Sequence, residues 1–230
     1  MQSCATSAPF RHSQHSSAYN AARCESLCDI HRRCRPTELS SFPAASSQRY
    51  EVRIHAYVLM SNHLHLLASS SLAGAVSRMM RWMGQRYVAF FNKRYERTGT
   101  LWEGRFRSFL VDSERYILMV YRYIELNPVR AALVERAQEY AWSSAKANLG
   151  LKVDPLVVPH SVFLALGYSS RECGEAYEEW LSAGTGEDEL LRIRLYIQQQ
   201  RAMGSPGFQA MVERALGRPG AIQPQGRPIR

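Results

Sequence analysis

Cysteine is scarce in this chain and lysine scarcer still. Cys4, Cys24, Cys28 and Cys34 lie near the start, and Cys173 stands alone. An odd count without a charged-then-apolar leader argues against a disulfide framework, so a cytoplasmic protein with reduced thiols is expected. Cys24, Cys28, His31 and Cys34 can be drawn as a zinc knot, but their spacing matches no standard structural-zinc pattern. No apolar run reaches the roughly 18 residues that a membrane span needs. Negative charge is also short: 20 carboxylates face 29 basic residues, a net charge of +9. Nearly all of those cations are arginine, which suits bidentate contacts with phosphates and bases. Such a balance favours polyanionic partners, nucleic acid before membrane. The 230 residues, 46% of them hydrophobic, are enough for one domain with a sizeable core.

Along the chain, residues 1–48 are rich in Ser, Ala, Arg and His, show no periodicity, and are broken by Pro36 and Pro43. Disorder is the expectation there. From Tyr50 the character changes. Val52 to Leu59 reads as a strand, Ser61-Asn62 as a tight turn, and His63 to Leu67 as a returning strand. Leu72, Val76, Met79, Met80, Met83, Tyr87, Phe90 and Phe91 recur at helical spacing, with arginines opposite. Thr98 to Gly104 is a turn-rich loop before a strand over Arg105 to Val111. Ser113 is placed to cap a further helix, which Pro128 should end at Asn127. Further helices are predicted over 170–182, 187–201 and 206–216, then a flexible basic tail from 217 to 230. The resulting division is an N-terminal segment (1–48), a catalytic-type domain (49–149), a helical C-terminal region (150–216) and the tail.

Two features carry chemistry. Alternate residues of a strand share a face, so His63 and His65 project together, and two adjacent imidazoles can grip one divalent metal. The plainer reading is a pair of hydrogen-bonded histidines on an edge strand. Tyr123 and Asn127, four residues apart, stack on one helical face. If that face covers the hairpin, a phenol and an amide oxygen approach the same metal. A phenol ionises near pH 10, so it needs a metal or cations beside it to attack phosphorus at neutral pH.

The blocks His55-Ala-Tyr-Val-Leu-Met-Ser-Asn-His-Leu-His-Leu66, Thr98-Gly-Thr-Leu-Trp-Glu-Gly-Arg-Phe-Arg-Ser108, Arg122-Tyr-Ile-Glu-Leu-Asn-Pro-Val-Arg-Ala131 and Tyr140-Ala-Trp-Ser-Ser144 carry a resemblance. His63-Leu64-His65 has the histidine–hydrophobe–histidine form of HUH single-strand endonucleases. Residues from about 48 to 216 resemble the REP-associated tyrosine transposases. That resemblance implies an α+β, ferredoxin-like antiparallel sheet with helices packed on it, and a helical C-terminal extension. It implies Tyr123 as nucleophile, His63, His65 and Asn127 as metal ligands, and Mg²⁺ or Mn²⁺ as cofactor. The implied substrate is hairpin-forming single-stranded DNA, cut through a 5′-phosphotyrosine by a monomer or homodimer. Tyr116 and Tyr121 are the rival phenols, one two turns back and the other pointing elsewhere. Arg105, Arg107, Arg122 and Arg130 are candidates to hold phosphates, and Trp102 and Phe106 to stack bases, against a plainer role in packing or surface charge. Nothing in residues 1 to about 46 resembles the family's first strand and helix, so that strand is expected to be missing or altered. A DNA-binding transposase remnant without cleavage activity is the alternative that this departure raises.

Overall fold

The computed structural model describes residues 19–25, 36–102, 104, 106–112 and 116–223. Its centre is a four-stranded antiparallel sheet of β1 (Tyr19–Glu25), β2 (Arg53–Leu59), β3 (His63–Ser69) and β4 (Arg107–Val111), in the order β2-β3-β1-β4. Helix α1 (Pro36–Arg49) links β1 to β2, and α2 (Ala75–Arg94) links β3 to β4. This βαββαβ order with β1 and β3 innermost is the ferredoxin-like arrangement that the resemblance implies.

Two elements correct the reading of the N-terminal segment. Residues 19–25 form the inner strand β1, paired with β3 from Asn20↔Ala68 to Glu25↔His63 and with β4 from Tyr19↔Val111 to Arg23↔Arg107. Residues 36–49 form α1, which packs along α2. The first strand is therefore present, in a sequence without alternation. An inner strand gains its ladder bonds from both neighbours whatever its side-chain pattern. Pro43 lies inside α1, where the missing amide hydrogen made a helix an unfavourable expectation.

The β2–β3 hairpin forms as predicted, closed by Met60 N–H donating to His63 O at 2.8 Å. On one face of the sheet, Ile54, Tyr57, Leu59, Leu64, Leu66 and Ala68 meet the α2 stripe of Val76, Met79, Met80, Met83, Tyr87 and Phe91. Each such side chain, fully buried, contributes roughly 1.5–3 kcal/mol relative to exposure. Leu72, expected to join the stripe, is exposed ahead of the helix.

The other face meets α3 (Ile117–Glu125), α4 (Asn127–Arg130) and short helices α5 (Ala145–Asn148) and α6 (Ser161–Leu164). Beyond them lie α7 (Ser170–Ser182), α8 (Glu187–Gln199) and α9 (Pro206–Leu216). The Ser113 cap lies outside the described residues, and α3 begins after Tyr116. Phe163, Tyr177, Leu181, Ile193 and Met203 share one continuous core with Val58, Leu67 and Phe109 of the sheet. Residues after α4 also bond along both edge strands of the sheet. Leu59 N–H donates to Trp142 O (2.9 Å) and Val158 N–H to Ile54 O (2.8 Å) along β2, while Asp112 and Met203 amides bond across β4. These bonds leave fewer of the unpaired groups that invite strand addition. Part of the predicted flexible tail is held as well: Gln199 exchanges two hydrogen bonds with the Gln223 backbone, at 2.7 and 2.9 Å. Residues 224–230 lie outside the described residues.

Candidate active site

The centre of the α3 face is polar. His65 leaves β3 between Leu64 and Leu66, whose side chains go to the α2 face, so it points toward α3. It is 2% exposed, and its ring meets that of His63 edge to face with centroids 4.9 Å apart. His63 Nδ1 lies 2.7 Å from Asn62 Oδ1. An amide oxygen only accepts, so that nitrogen carries the hydrogen and Nε2 keeps the lone pair a metal needs.

Tyr123 enters from α3. Its ring packs edge to face on His65 at 5.5 Å, and it is 5% exposed. On its other side the Arg130 guanidinium lies 4.8 Å from the ring centroid and also donates to Tyr123 O. Burial lowers the Arg130 pKa to about 10, against an opposing attraction to Tyr123. The group remains a cation at neutral pH, set over the phenol.

Asn127 follows the end of α3 as the Pro128 argument expects, and its Nδ2 donates to Tyr123 O (2.9 Å) and Ile124 O (3.2 Å). These bonds satisfy terminal carbonyls of the helix, a capping role that sequence reasoning did not assign. Its amide oxygen is the atom left for a metal or substrate. Among the described residues no three His, Cys, Asp or Glu side chains converge. Two adjacent imidazoles suit a divalent ion, provided neutral oxygens complete the shell.

The rival phenols have other employment. Tyr121 is fully buried, accepts from the His160 amide at 3.1 Å and stacks on Phe163, and burial drives its pKa far upward. Tyr116 precedes α3 and packs against the core. Of the arginines, Arg107 is exposed at the start of β4 and Arg105 lies outside the described residues. Arg122 does not meet its expectation as a phosphate contact. It is 5% exposed, donates to both carboxylate oxygens of Glu189 at 2.8–2.9 Å and to Trp180 O at 3.1 Å, and lies over the Trp180 ring. Its position in α3, one residue from the nucleophile candidate, turns it to the far side of the helix, where it clamps α7 and α8. Trp102 and Phe106 sit against α2 on the opposite face of the sheet, apart from the histidines.

Glu125 is the residue that sequence reasoning missed. It is 0% exposed and accepts from Ser144 Oγ (2.5 Å), Asn148 Nδ2 (2.6 Å) and Tyr177 Oη (2.9 Å). Burial raises its pKa to about 7 despite those bonds. Ser144 Oγ also accepts from the Tyr57 amide at 2.9 Å. Glu125 thus ties α3 to β2 and α7, fixing Tyr123 over β3. The signal was a lone carboxylate in an apolar helix, with serine and asparagine in a later block.

The sheet thus presents His63 and His65 to Tyr123 of α3, within a ferredoxin-like βαββαβ fold. Residues 30–127 match the family described as IS200-like transposases, and this segment holds His63, His65, Tyr123 and Asn127. The match begins at residue 30, inside the segment that looked unrelated, consistent with the presence of α1. Among solved structures, the chain is similar to a REP-associated tyrosine transposase bound to a REP hairpin, at a TM-score of 0.50 and 14% identity. That similarity covers 68% of this chain and 93% of the other, and concerns the fold. No curated protein matches the chain.

Proposed function

We propose that this protein is a transposase that cleaves and rejoins hairpin-forming single-stranded DNA through a covalent bond to Tyr123. The observation that carries the reading is the contact of the Tyr123 ring with His65, itself in contact with His63. The phenol oxygen attacks a backbone phosphorus, the bond from phosphorus to the 3′ oxygen breaks, and the phenol proton is balanced by the new 3′-hydroxyl. The product is a 5′-phosphotyrosine, and attack by a 3′-hydroxyl reverses the step, so strand transfer needs no ATP. A divalent ion held by His63 and His65, Mg²⁺ or Mn²⁺ as the resemblance implies, would act as Lewis acid on a phosphate oxygen. Asn127 offers a neutral oxygen toward the same place. The Arg130 guanidinium, set over the Tyr123 ring, stabilises negative charge as it develops on the phenol. The hairpin substrate is supported by the partner of the similar solved structure and by the chain's net charge of +9, carried mostly by arginine.

The remnant reading rested on a missing first strand. The presence of β1 inside the sheet and the contact of Tyr123 with His65 favour the cleavage reading. The test is incubation of the protein with a single-stranded hairpin oligonucleotide carrying single-stranded flanks, with Mn²⁺, Mg²⁺ or chelator. A metal-dependent adduct that survives denaturation supports the reading. Soluble protein that binds the hairpin yet forms no adduct with either ion would leave only DNA binding.

A further inference from the structure

On the far side of the sheet from Tyr123, α2 and the loop before β4 enclose a groove that the chemistry above does not use. Its volume is about 600 Å³, in the range of ligand sites, and Met80, Val88, Ala89, Trp102 and Phe106 make it mainly apolar. Trp102 forms its wall in a fixed pose. The indole N–H donates to Gly84 O at 3.2 Å, the ring packs 5.7 Å from Tyr87, and the Trp102 amide donates to Thr100 Oγ1 at 3.1 Å. Gly84 makes the approach feasible, since a Cβ there would lie 3.3 Å from the indole nitrogen. Gly99 and Gly104 leave the opposite side open, with nothing within 4 Å of where a Cβ would stand.

Charge selects the occupant. Arg81 is the one charged side chain among the described residues lining the groove, and α2 carries Arg78, Arg81, Arg86, Lys93 and Arg94 with no carboxylate. An apolar slot walled by a pre-held indole, with the Arg81 cation in its lining, matches a flat base attached to a phosphate. A second copy of this chain, at +9, would bring like charge to that rim.

We propose that this groove is a subsite for an unpaired nucleobase of the single-stranded DNA, separate from the cleavage centre. The proposal rests on the DNA-processing reading and adds to it a place where the sequence or shape of the strand is sensed. Stacking supplies affinity, Arg81 meets the flanking phosphate, and exposed Gln85 offers hydrogen bonds to a base edge.

The test is binding, without metal, of a labelled ten-nucleotide thymidine oligomer against an abasic oligomer of equal length. Wild type should bind the base-bearing strand about tenfold more tightly, the scale of one stacked base. Ala89→Trp fills the groove from an exposed position and should abolish that preference, and Trp102→Leu should do the same. Arg81→Glu should weaken both oligomers. Equal affinity of wild type for the two strands, or a preference untouched by Ala89→Trp, would overturn the proposal. So would a change in the sedimentation of DNA-free protein on Ala89→Trp, which would make the groove a contact between copies. Adduct formation at Tyr123 on saturating hairpin DNA should survive Ala89→Trp. A base preference in a protein that never forms the adduct would sink the cleavage reading and leave this subsite standing.

Discussion

Leu64 and Leu66 leave β3 toward α2, where they meet methionines and aromatic rings and, among the described residues, no buried ion. His65 leaves the same strand toward α3, where it meets Tyr123 and where Glu125, Ser144, Asn148 and Arg122 are buried nearby. Both faces bury side chains, but ionisable groups such as Glu125 and Arg122 are buried on the α3 side. An apolar face tolerates local repacking, whereas a buried polar face is held to one arrangement by its hydrogen bonds. The difference explains how a sheet can hold a tyrosine against a histidine pair: the α2 face supplies stability, and the α3 face supplies position.

The sharpest way to break that contrast is Tyr123→Phe. It removes one oxygen from the polar face, so the covalent adduct should be lost by at least about a thousandfold while the fold is unchanged. Circular dichroism and the denaturing-gel adduct assay together check this. Adduct retained in the variant would move the chemistry elsewhere. Next, His63→Ala should cut metal-dependent cleavage by about a hundredfold, with DNA binding intact, as read by cleavage rate against metal concentration. Arg130→Lys keeps the charge but not the flat guanidinium over the ring, and should slow adduct formation about tenfold.

On the apolar face the effect should be on stability alone. Met79→Ala removes a fully buried side chain and should cost about 2–5 kcal/mol in denaturant unfolding, with the adduct rate of the folded fraction unchanged. A fall in that rate at full folding would show that the two faces are coupled.

The smallest effect concerns pH. Burial holds His55 and His160 down at about 4 from 6.5, so between those values the unfolded chain binds more protons and stability rises with pH. Glu125, raised from 4.5 to about 7, works the other way: the folded state keeps a proton that the unfolded chain has released, and stability falls across that window. Glu125→Gln removes the opposing contribution. Its thermal midpoint should therefore climb more steeply than wild type from about pH 4.5 to 6.5, as scanning calorimetry would read.

The same contrast decided what was legible in the sequence. Hydrophobic period marked the hairpin, the α2 stripe and the helix carrying Tyr123, because burial against one face imposes spacing. The pairing of His63 with His65 followed from strand alternation. β1 was invisible: residues 19–25 lack alternation, and their place depends on β3 and β4, which are distant in sequence. Glu125 and Arg122 were missed or misassigned for a related reason. A buried ion is set by partners such as Ser144, Tyr177 and Glu189, which only the tertiary fold brings near. Trp102 and Phe106, within the second sequence block, were read as candidates to stack bases or to pack, and spacing alone could not say that they lie on the face of the sheet opposite His65.

The central claim is that the phenol of residue 123 becomes covalently joined to DNA. The most direct measurement is mass spectrometry of the protein after reaction with a hairpin oligonucleotide and Mn²⁺, followed by nuclease and protease digestion. The account predicts a nucleotide phosphate on the peptide holding Tyr123, located by fragmentation to that residue. The same modification on Tyr116 or Tyr121, or none on folded, DNA-bound protein, would contradict it.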